Sequence, residues 1–393
     1  MEIQKKKNEI ISAIDEMKKE LITLSHNIHS NPELGFSEFK ACKWLTDFLN
    51  ENGFDVKVGI ASMETSFIAQ FPKKAKDKPC IAFLAEYDAL PGIGHGCGHN
   101  IIGPASCGAA AALAKVIGND SGKILVLGTP AEEGGGGKLF LIKSGMFNNI
   151  DTTMMIHPDI KTKARANFLA NVQMRFKFYG QSAHAAASPF LGRNALDAVI
   201  LTFNNINALR QQLPSDVRIH GIITDGGERP NIIPAFASCW FYVRTKERDY
   251  LETLVEKVKT CAQAGAIAAG CRVEIEMGQD IYYPMKHNKA FEDLFRESLK
   301  FLNIEESLQE ERGTGSSDIG NVSQIVPAIH PNIKICSDTP PTHSKEFAEA
   351  AISSSGDEGL IIGAKTLALT GLDLLLNPEK LANVKKEFSA PTS

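Results

Sequence analysis

Three short apolar runs frame this chain. Ile81–Ala85, Lys123–Thr129 and Thr152–Ile156 each suit a buried strand, and each stops abruptly at polar or acidic residues. The first gives way to Glu86, Asp88 and a Pro91-Gly92 break. The second runs into Pro130-Ala131-Glu132-Glu133 and the four glycines 134 to 137, and the third into His157-Pro158-Asp159. Open parallel α/β sheets hold their active sites at the carboxyl ends of their strands, so three such ends bearing ionisable groups point to one site. Helical spacing surrounds these runs. Residues Ile3–Leu24 read as a charged helix, and Ala41, Trp44, Leu45, Phe48 and Leu49 mark the apolar face of another, with Gly53 as its stop. Ile101–Ala114 is uncharged over 14 residues and contains Pro104 and Gly108, which makes it too short to span a bilayer and suits it to a buried helix.

From about Asn167 the pattern changes to alternation. Val172, Met174, Phe176 and Phe178 alternate with polar residues, Ala195–Leu213 reads as a helix, and two alternating runs follow at Val217–Thr224 and Ala235–Arg244. Asp249 and Glu252 stand in capping-box spacing before a helix with Leu251, Leu254, Val255 and Val258 on one face, and Arg272–Met277 forms a last strand. The order β-α-β-β-α-β predicts a ferredoxin-like α+β module at about 167–280, inserted into an α/β domain built from 1–166 and 281–393. Helical spacing resumes at Ala290–Leu302. A Gly/Ser-rich loop at 313–321, an apolar stretch Gln324–Cys336, the segment Asp338–His343 and a final helix at about Gly356–Leu376 complete the chain, which holds no internal repeat.

At 393 residues, two domains are the natural expectation. Charged residues at 22 % and hydrophobic ones at 43 % describe a soluble globular protein, and a net charge of -4 offers nothing to nucleic acid. The start MEIQKKKNEI has no apolar core of a signal peptide. The eight cysteines, at 42, 80, 97, 107, 239, 261, 271 and 336, include no CxxC pair. Reduced thiols and a cytoplasmic setting are expected.

Nine residues past Asp88, Cys97 and His99 lie one residue apart among Gly94, Gly96 and Gly98, which let the backbone fold tightly around something small. A thiolate and an imidazole so placed can converge on one metal ion, whereas His95 reads as a buried core histidine. With the strand-end groups, the candidate ligands are Cys97, His99, Glu133, His157 and His343. Two tetrahedral zinc ions need eight coordination positions, which five protein ligands fill if one ligand and one water each bridge both ions. A thiolate with three imidazoles favours zinc, with manganese second. Glu132 is left free to act as a base toward the attacking water. A solvated acidic pair is the ordinary fate of Glu132-Glu133, but the position between an apolar strand and four glycines argues against it.

The segments HSNPELG, EYDALPGIGHGCGHN, GTPAEEGGGGK, MMIHP, YGQSAHAA, GGERPNIIP, GSSDIGNVS and THSKEF together resemble, nearly end to end, the two-domain metallopeptidases that include aminoacylase-1, carnosinase and bacterial amidohydrolases. GHGCGHN and PAEEGGGGK are most similar to the branch holding the β-alanyl-lysine dipeptidase and the aminobenzoyl-glutamate hydrolase subunit. The resemblance implies a zinc-peptidase-like catalytic domain with an open mixed sheet and an inserted dimerisation domain that covers the cleft. It implies two divalent metal ions on Cys97, His99, Glu133, His157 and His343, with Asp88 supporting them from behind and Glu132 as general base. Cys97 stands where many relatives have a bridging aspartate. His184 matches a histidine that reaches the partner subunit's site and polarises the scissile carbonyl, and Asn231 and Arg244 match positions that grip the substrate's carbonyl or carboxylate. Arg244 read by itself could equally be a strand-end ion-pair partner.

These readings converge on a cytoplasmic, homodimeric metallo-amidohydrolase acting on small molecules, with no nucleic-acid or membrane partner. The expected substrates are dipeptides, with a β-alanyl or γ-aminobutyryl donor and a basic acceptor. The alternatives are an N-acyl amino acid or aminobenzoyl-glutamate amidohydrolase and, in another class, a catalytically silent binding homologue, which intact ligand and base positions disfavour.

Overall fold

A computed structural model describes residues 2–73, 79–119, 121–278, 280–308, 315–337 and 340–390. The first two residues of the Gly/Ser-rich loop and Asp338-Thr339 lie outside these. The chain divides into two compact units, one of Met1–Ala166, Met285–Gly313 and Asn321–Ser393, the other of Asn167–Pro284 and Thr314–Gly320.

The first unit opens with α1 (Glu2–Ser30) and α2 (Phe39–Glu51), then β1 (Asp55–Val58), β2 (Phe67–Phe71) and β3 (Cys80–Ala85). Next come α3 (His99–Ile117), β4 (Lys123–Gly128), α4 (Gly137–Lys143), β5 (Thr152–Met154) and β6 (His157–Asp159). After the second unit the chain adds α7 (Lys289–Phe301), α8 (Ile319–Ser323, which begins in the second unit), β11 (Ala328–Ile329), β12 (Asn332–Lys334), α9 (Lys345–Ala350), α10 (Ser354–Leu376) and α11 (Pro378–Ser389). Six strands form one mixed sheet in the order β1-β2-β4-β3-β5-β11. Within it β3 runs parallel to both β4 and β5, β11 parallel to β5, and β2 antiparallel to β4.

Every residue of β3 is buried, as its unbroken apolar sequence requires of a central parallel strand. Helix α3 packs on β3 and against α1 and α10. Small residues make that close packing possible: a Cβ on Gly108 would stand 2.7 Å from Leu21 of α1. Both α3 and α10 are long and apolar enough to cross a membrane, α3 being 19 residues rather than the 14 expected. Yet 89 % and 83 % of their apolar windows are buried inside the protein, where they form the core.

In the second unit β7 (Ala170–Tyr179), α5 (Ala195–Leu209), β8 (Arg218–Asp225), β9 (Phe236–Thr245), α6 (Arg248–Ala268) and β10 (Arg272–Met277) follow in the β-α-β-β-α-β order expected. Its antiparallel sheet has the strand order β10-β7-β9-β8. Val172, Met174, Phe176 and Phe178 of β7 and Ala237, Cys239, Phe241 and Val243 of β9 point into a core shared with both helices.

Several local expectations are corrected. Helix α1 runs on to Ser30, and α5 ends at Leu209, with a short 3-10 turn taking the chain to Gln212. Helix α6 begins at Arg248 with Glu247 at its N-cap and no side-chain cap bond, so Asp249 and Glu252 form no capping box. Helix α11, opened by Pro378, was not foreseen, because its mostly charged sequence shows only a narrow apolar stripe.

The glycine run after β4 has two functions. Gly134 and Gly136 take positive φ values of 92° and 64°, and a Cβ on Gly137 would stand 1.8 Å from the carbonyl oxygen of Pro130. A Gly137→Ala substitution should therefore force the Pro130 corner to move, destabilising the fold by about 1–3 kcal/mol. Calorimetry should show a thermal midpoint lowered by several degrees; an unchanged midpoint would show that the corner can yield.

Candidate metal centre

The side chains expected to bind metal in the first unit come from four chain segments that end or turn at the same edge of the sheet. Asp88 follows β3, Glu132 and Glu133 follow β4, and His157 opens β6 just past β5. Gly98, left-handed at φ 76°, starts α3 and turns Cys97 and His99 inward. The glycines of this loop also make room for the other segments. A Cβ on Gly98 would meet Pro158 at 2.9 Å; one on Gly96 would stand 3.2 Å from the Ser344 carbonyl and 3.5 Å from the His343 Cα. The His343 N–H donates to the Gly96 carbonyl at 2.8 Å, which pins the late segment to the loop.

Two groups of donors result. The ligand atoms of Cys97, His99 and His157 lie within 4.8 Å of one another, and so do those of Cys97, Glu133 and His343. Cys97 belongs to both. His99, Glu132 and Glu133 form a third such group that links the pair. Among individual distances, Cys97 Sγ is 3.4 Å from His157 Nε2 and His343 Nε2 is 3.4 Å from Glu133 Oε1. Glu132 Oε2 lies 4.0 Å from His99 Nε2.

Hydrogen bonds fix which ring nitrogens face inward. His99 Nδ1 lies 3.1 Å from both the Asp88 carboxylate and the Asp88 carbonyl, so it carries the proton and leaves Nε2 as a donor atom. His157 Nδ1 donates to the Pro158 carbonyl at 2.7 Å, which turns its Nε2 toward Cys97. The second Asp88 oxygen accepts the Glu133 N–H at 2.9 Å, so one buried carboxylate sets both an imidazole and the acidic loop. His99 Nε2 and Glu133 Oε1 are buried and have no hydrogen-bond partner, which fits atoms reserved for a cation.

The electrostatics follow from this crowding. Burial alone would push the Cys97 thiol up, but His157 foremost, with His343 and His99 also facing the sulfur, brings it down to about 6. The neighbouring Cys97 and Glu133 raise His343 to about 10. Burial works against the charged form of His99, yet Asp88 and then Cys97 hold it well above the usual imidazole range. Glu133 is likewise lowered by His343 and His99 against the opposing effect of burial. Thiolate and imidazole donors take up a cation only on giving up such protons, so binding of a metal here would release them. The side chain of His343 is 54 % exposed, whereas His99 is fully buried, so the donors run from solvent to core. Soft and borderline donors in this proportion suit divalent ions such as zinc.

Glu38 and Gly35 were missed as supports of the site. Ala131 adopts a left-handed φ of 57° just before Glu132, and its N–H donates to the buried Glu38 carboxylate at 2.8 Å. A Cβ on Gly35 would meet the Ala131 Cβ at 2.8 Å. Only the PELG turn's sequence hinted at this, since its partner lies 93 residues away. His330, buried and stacked on His157 with ring centroids 5.2 Å apart, was also missed. His95 is buried as expected, against His29.

The remaining candidates belong to the second unit. His184 is exposed, bridges Ile232, and accepts the N–H groups of Ala186 and Ala187 on Nδ1 at 3.3 and 3.2 Å. Its proton therefore sits on Nε2. Asn231 adjoins it, its carbonyl accepting the Ala185 N–H at 3.0 Å. Arg244 lies on β9 with its guanidinium 5.7 Å from the Tyr242 ring and a buried Nε that has no hydrogen-bond partner; among the described residues it forms no ion pair.

Residues 82–367 match the model of peptidase family M20/M25/M40. The chain is 40 % identical to the human Xaa-Arg dipeptidase over 95 % of its own length and 90 % of that protein's. It is 28 % identical to a p-aminobenzoyl-glutamate hydrolase subunit of Escherichia coli, covering 98 % and 95 % of the two chains. Among solved structures, a putative aminohydrolase from methicillin-resistant Staphylococcus aureus shares the fold at a TM-score of 0.79 with 21 % identity, covering 94 % of this chain and 99 % of that one. A dinuclear metal binding peptidase from Bacillus subtilis shares it at 0.73 with 18 % identity, covering 92 % and 99 %. The chain thus belongs to peptidase family M20/M25/M40 and is a hydrolase of peptide or amide bonds.

Proposed function

We propose that this protein is a dinuclear metallo-dipeptidase that cleaves the amide bond before a basic, carboxylate-bearing residue. The observation that carries the reading is the sharing of Cys97 between two donor groups with Glu132 beside them. The identity to an Xaa-Arg dipeptidase favours a basic acceptor residue. Two divalent ions, zinc by the chemistry of the donors, would polarise the scissile carbonyl and acidify the attacking water. Cys97, His99 and His157 would hold one, and Cys97, Glu133 and His343 the other. The chain's own groups do the rest. Glu132 takes a proton from the water as its oxygen bonds to the carbonyl carbon, and returns it to the leaving amine as the C–N bond breaks. His184 donates its Nε2–H to the developing oxyanion, and Asn231 and Arg244 hold the substrate's carbonyl and carboxylate. The eight free cysteines support a reducing, cytoplasmic setting.

Glu132→Gln should keep the fold and the bound metal yet lose about 10²–10⁴-fold in kcat on Xaa-Arg dipeptides, because an amide cannot accept the proton. Near-parental turnover of that variant would remove Glu132 from the base role. A panel of dipeptides, N-acyl amino acids and aminobenzoyl-glutamate then fixes the substrate class.

We also propose a homodimer whose second unit supplies His184 to the partner's site, a reading supported by that unit's own core and by the exposure of His184. A mixed dimer of His184→Ala and Glu132→Gln chains should then recover about half of the parental rate at its one intact site, if the sites are independent. Mixing the two variants after subunit exchange has been confirmed decides the point: a mixed dimer as inactive as its parents places His184 in its own chain's site.

A further inference from the structure

Beside the candidate ligands lies a buried charged pair that the proposed reaction does not use. Glu86, the residue after β3, is 1 % exposed, and Lys138, the second residue of α4, is 0 % exposed. Lys138 Nζ lies 2.5 Å from Glu86 Oε1. Burying both charges is costly unless each has a full set of partners, and the other carboxylate oxygen, Oε2, has no hydrogen-bond partner. It lies 3.5 Å from His99 Nε2. That is the nitrogen left inward-facing once Asp88 has taken Nδ1.

Two carboxylates thus flank one imidazole, one at each nitrogen, and they cannot share a role. Asp88 at 3.1 Å from Nδ1 orients the ring. At 3.5 Å, Glu86 is too far from Nε2 for a charge-assisted hydrogen bond, which runs about 2.7–2.9 Å. The distance instead equals the spacing of two atoms that ligate one tetrahedral ion, about 3.4 Å for metal–ligand bonds of about 2.0–2.2 Å. Cys97 Sγ to His157 Nε2 and His343 Nε2 to Glu133 Oε1 show the same spacing, each at 3.4 Å.

Building on the dinuclear reading above, we propose that Glu86 is a sixth protein donor to the centre, on the His99 side, with Lys138 holding its second oxygen. The two metal positions are then unequal. The group of Cys97, His99 and His157 would then offer four protein donors with Glu86, and the group of Cys97, Glu133 and the exposed His343 three.

The test uses Co²⁺ added to the metal-free full chain, read by its visible absorption and by the dissociation constant of each equivalent, with no reference to activity. The parent chain should bind two Co²⁺. Glu86→Gln should weaken one of them by about tenfold or more and alter its absorption, leaving the other in place. Because Glu86→Gln also strands the Lys138 charge, the decisive variant is Glu86→Gln/Lys138→Met, which removes both charges at nearly constant volume. If Glu86 is a donor, the double variant shows the same loss. If Glu86 serves only to neutralise Lys138, the double variant binds both Co²⁺ as the parent does, and the proposal is overturned. A parent chain that binds no Co²⁺ would instead overturn the dinuclear reading itself.

Discussion

The geometry of the candidate metal centre depends on Asp88. This carboxylate is buried at the carboxyl end of the central strand and holds its two oxygens in different tasks, one on the His99 ring and one on the Glu133 backbone. Burial alone would favour its neutral form, but His99, the Glu133 N–H and Lys138 keep it anionic, with its pKa below the ordinary carboxylate range. Without it, the ring could present either nitrogen and the loop after β4 would lose the bond that registers it to β3. The parallel pairing of β3 with β4 brings the two strand ends side by side, and Asp88 converts that adjacency into side-chain geometry.

Close approach of backbone segments is the second constraint. Gly35, Gly96, Gly98 and Gly137 each stand where a Cβ would collide with a neighbouring segment, and three of those segments carry or adjoin a proposed ligand or base. Donors from four distant stretches of sequence can converge only because these backbones touch. Charge is arranged with the same economy of space: one thiolate, several carboxylates and the imidazoles compensate one another, and Lys138 adds a buried cation that is not a histidine.

Much of this was legible in the sequence, for physical reasons. Strands buried on both faces have no room for polar residues, so Ile81–Ala85 and Lys123–Gly128 announce themselves, and the groups at their ends stand out. The alternation of Val172, Met174, Phe176 and Phe178 shows one face on a core. Chemically distinctive residues such as Cys97 and His99 draw notice at any spacing. What the sequence hides is pairing over long separations between common residues. Glu86 was visible as an acid at a strand end, but its pairing with Lys138 needs the fold. Glu38 carried no signal in the sequence, because its bond to Ala131 depends on a left-handed corner that no local pattern marks. Helix α11 and the uncapped start of α6 were lost because caps and weak amphipathic stripes are decided by tertiary packing.

The central claim is that two metal ions share Cys97, and calorimetric titration of the metal-free chain with zinc tests it most directly. At pH 7 Cys97, lowered to about 6, is largely thiolate, whereas His343, raised to about 10, holds a proton that zinc must displace. The account predicts two zinc ions per chain, proton release on binding, and affinity that rises with pH up to the His343 pKa. It further predicts that Cys97→Ser weakens both ions, since a hydroxyl is a poorer ligand for either. A Cys97→Ser chain that loses one zinc ion and keeps the other at parental affinity would contradict it.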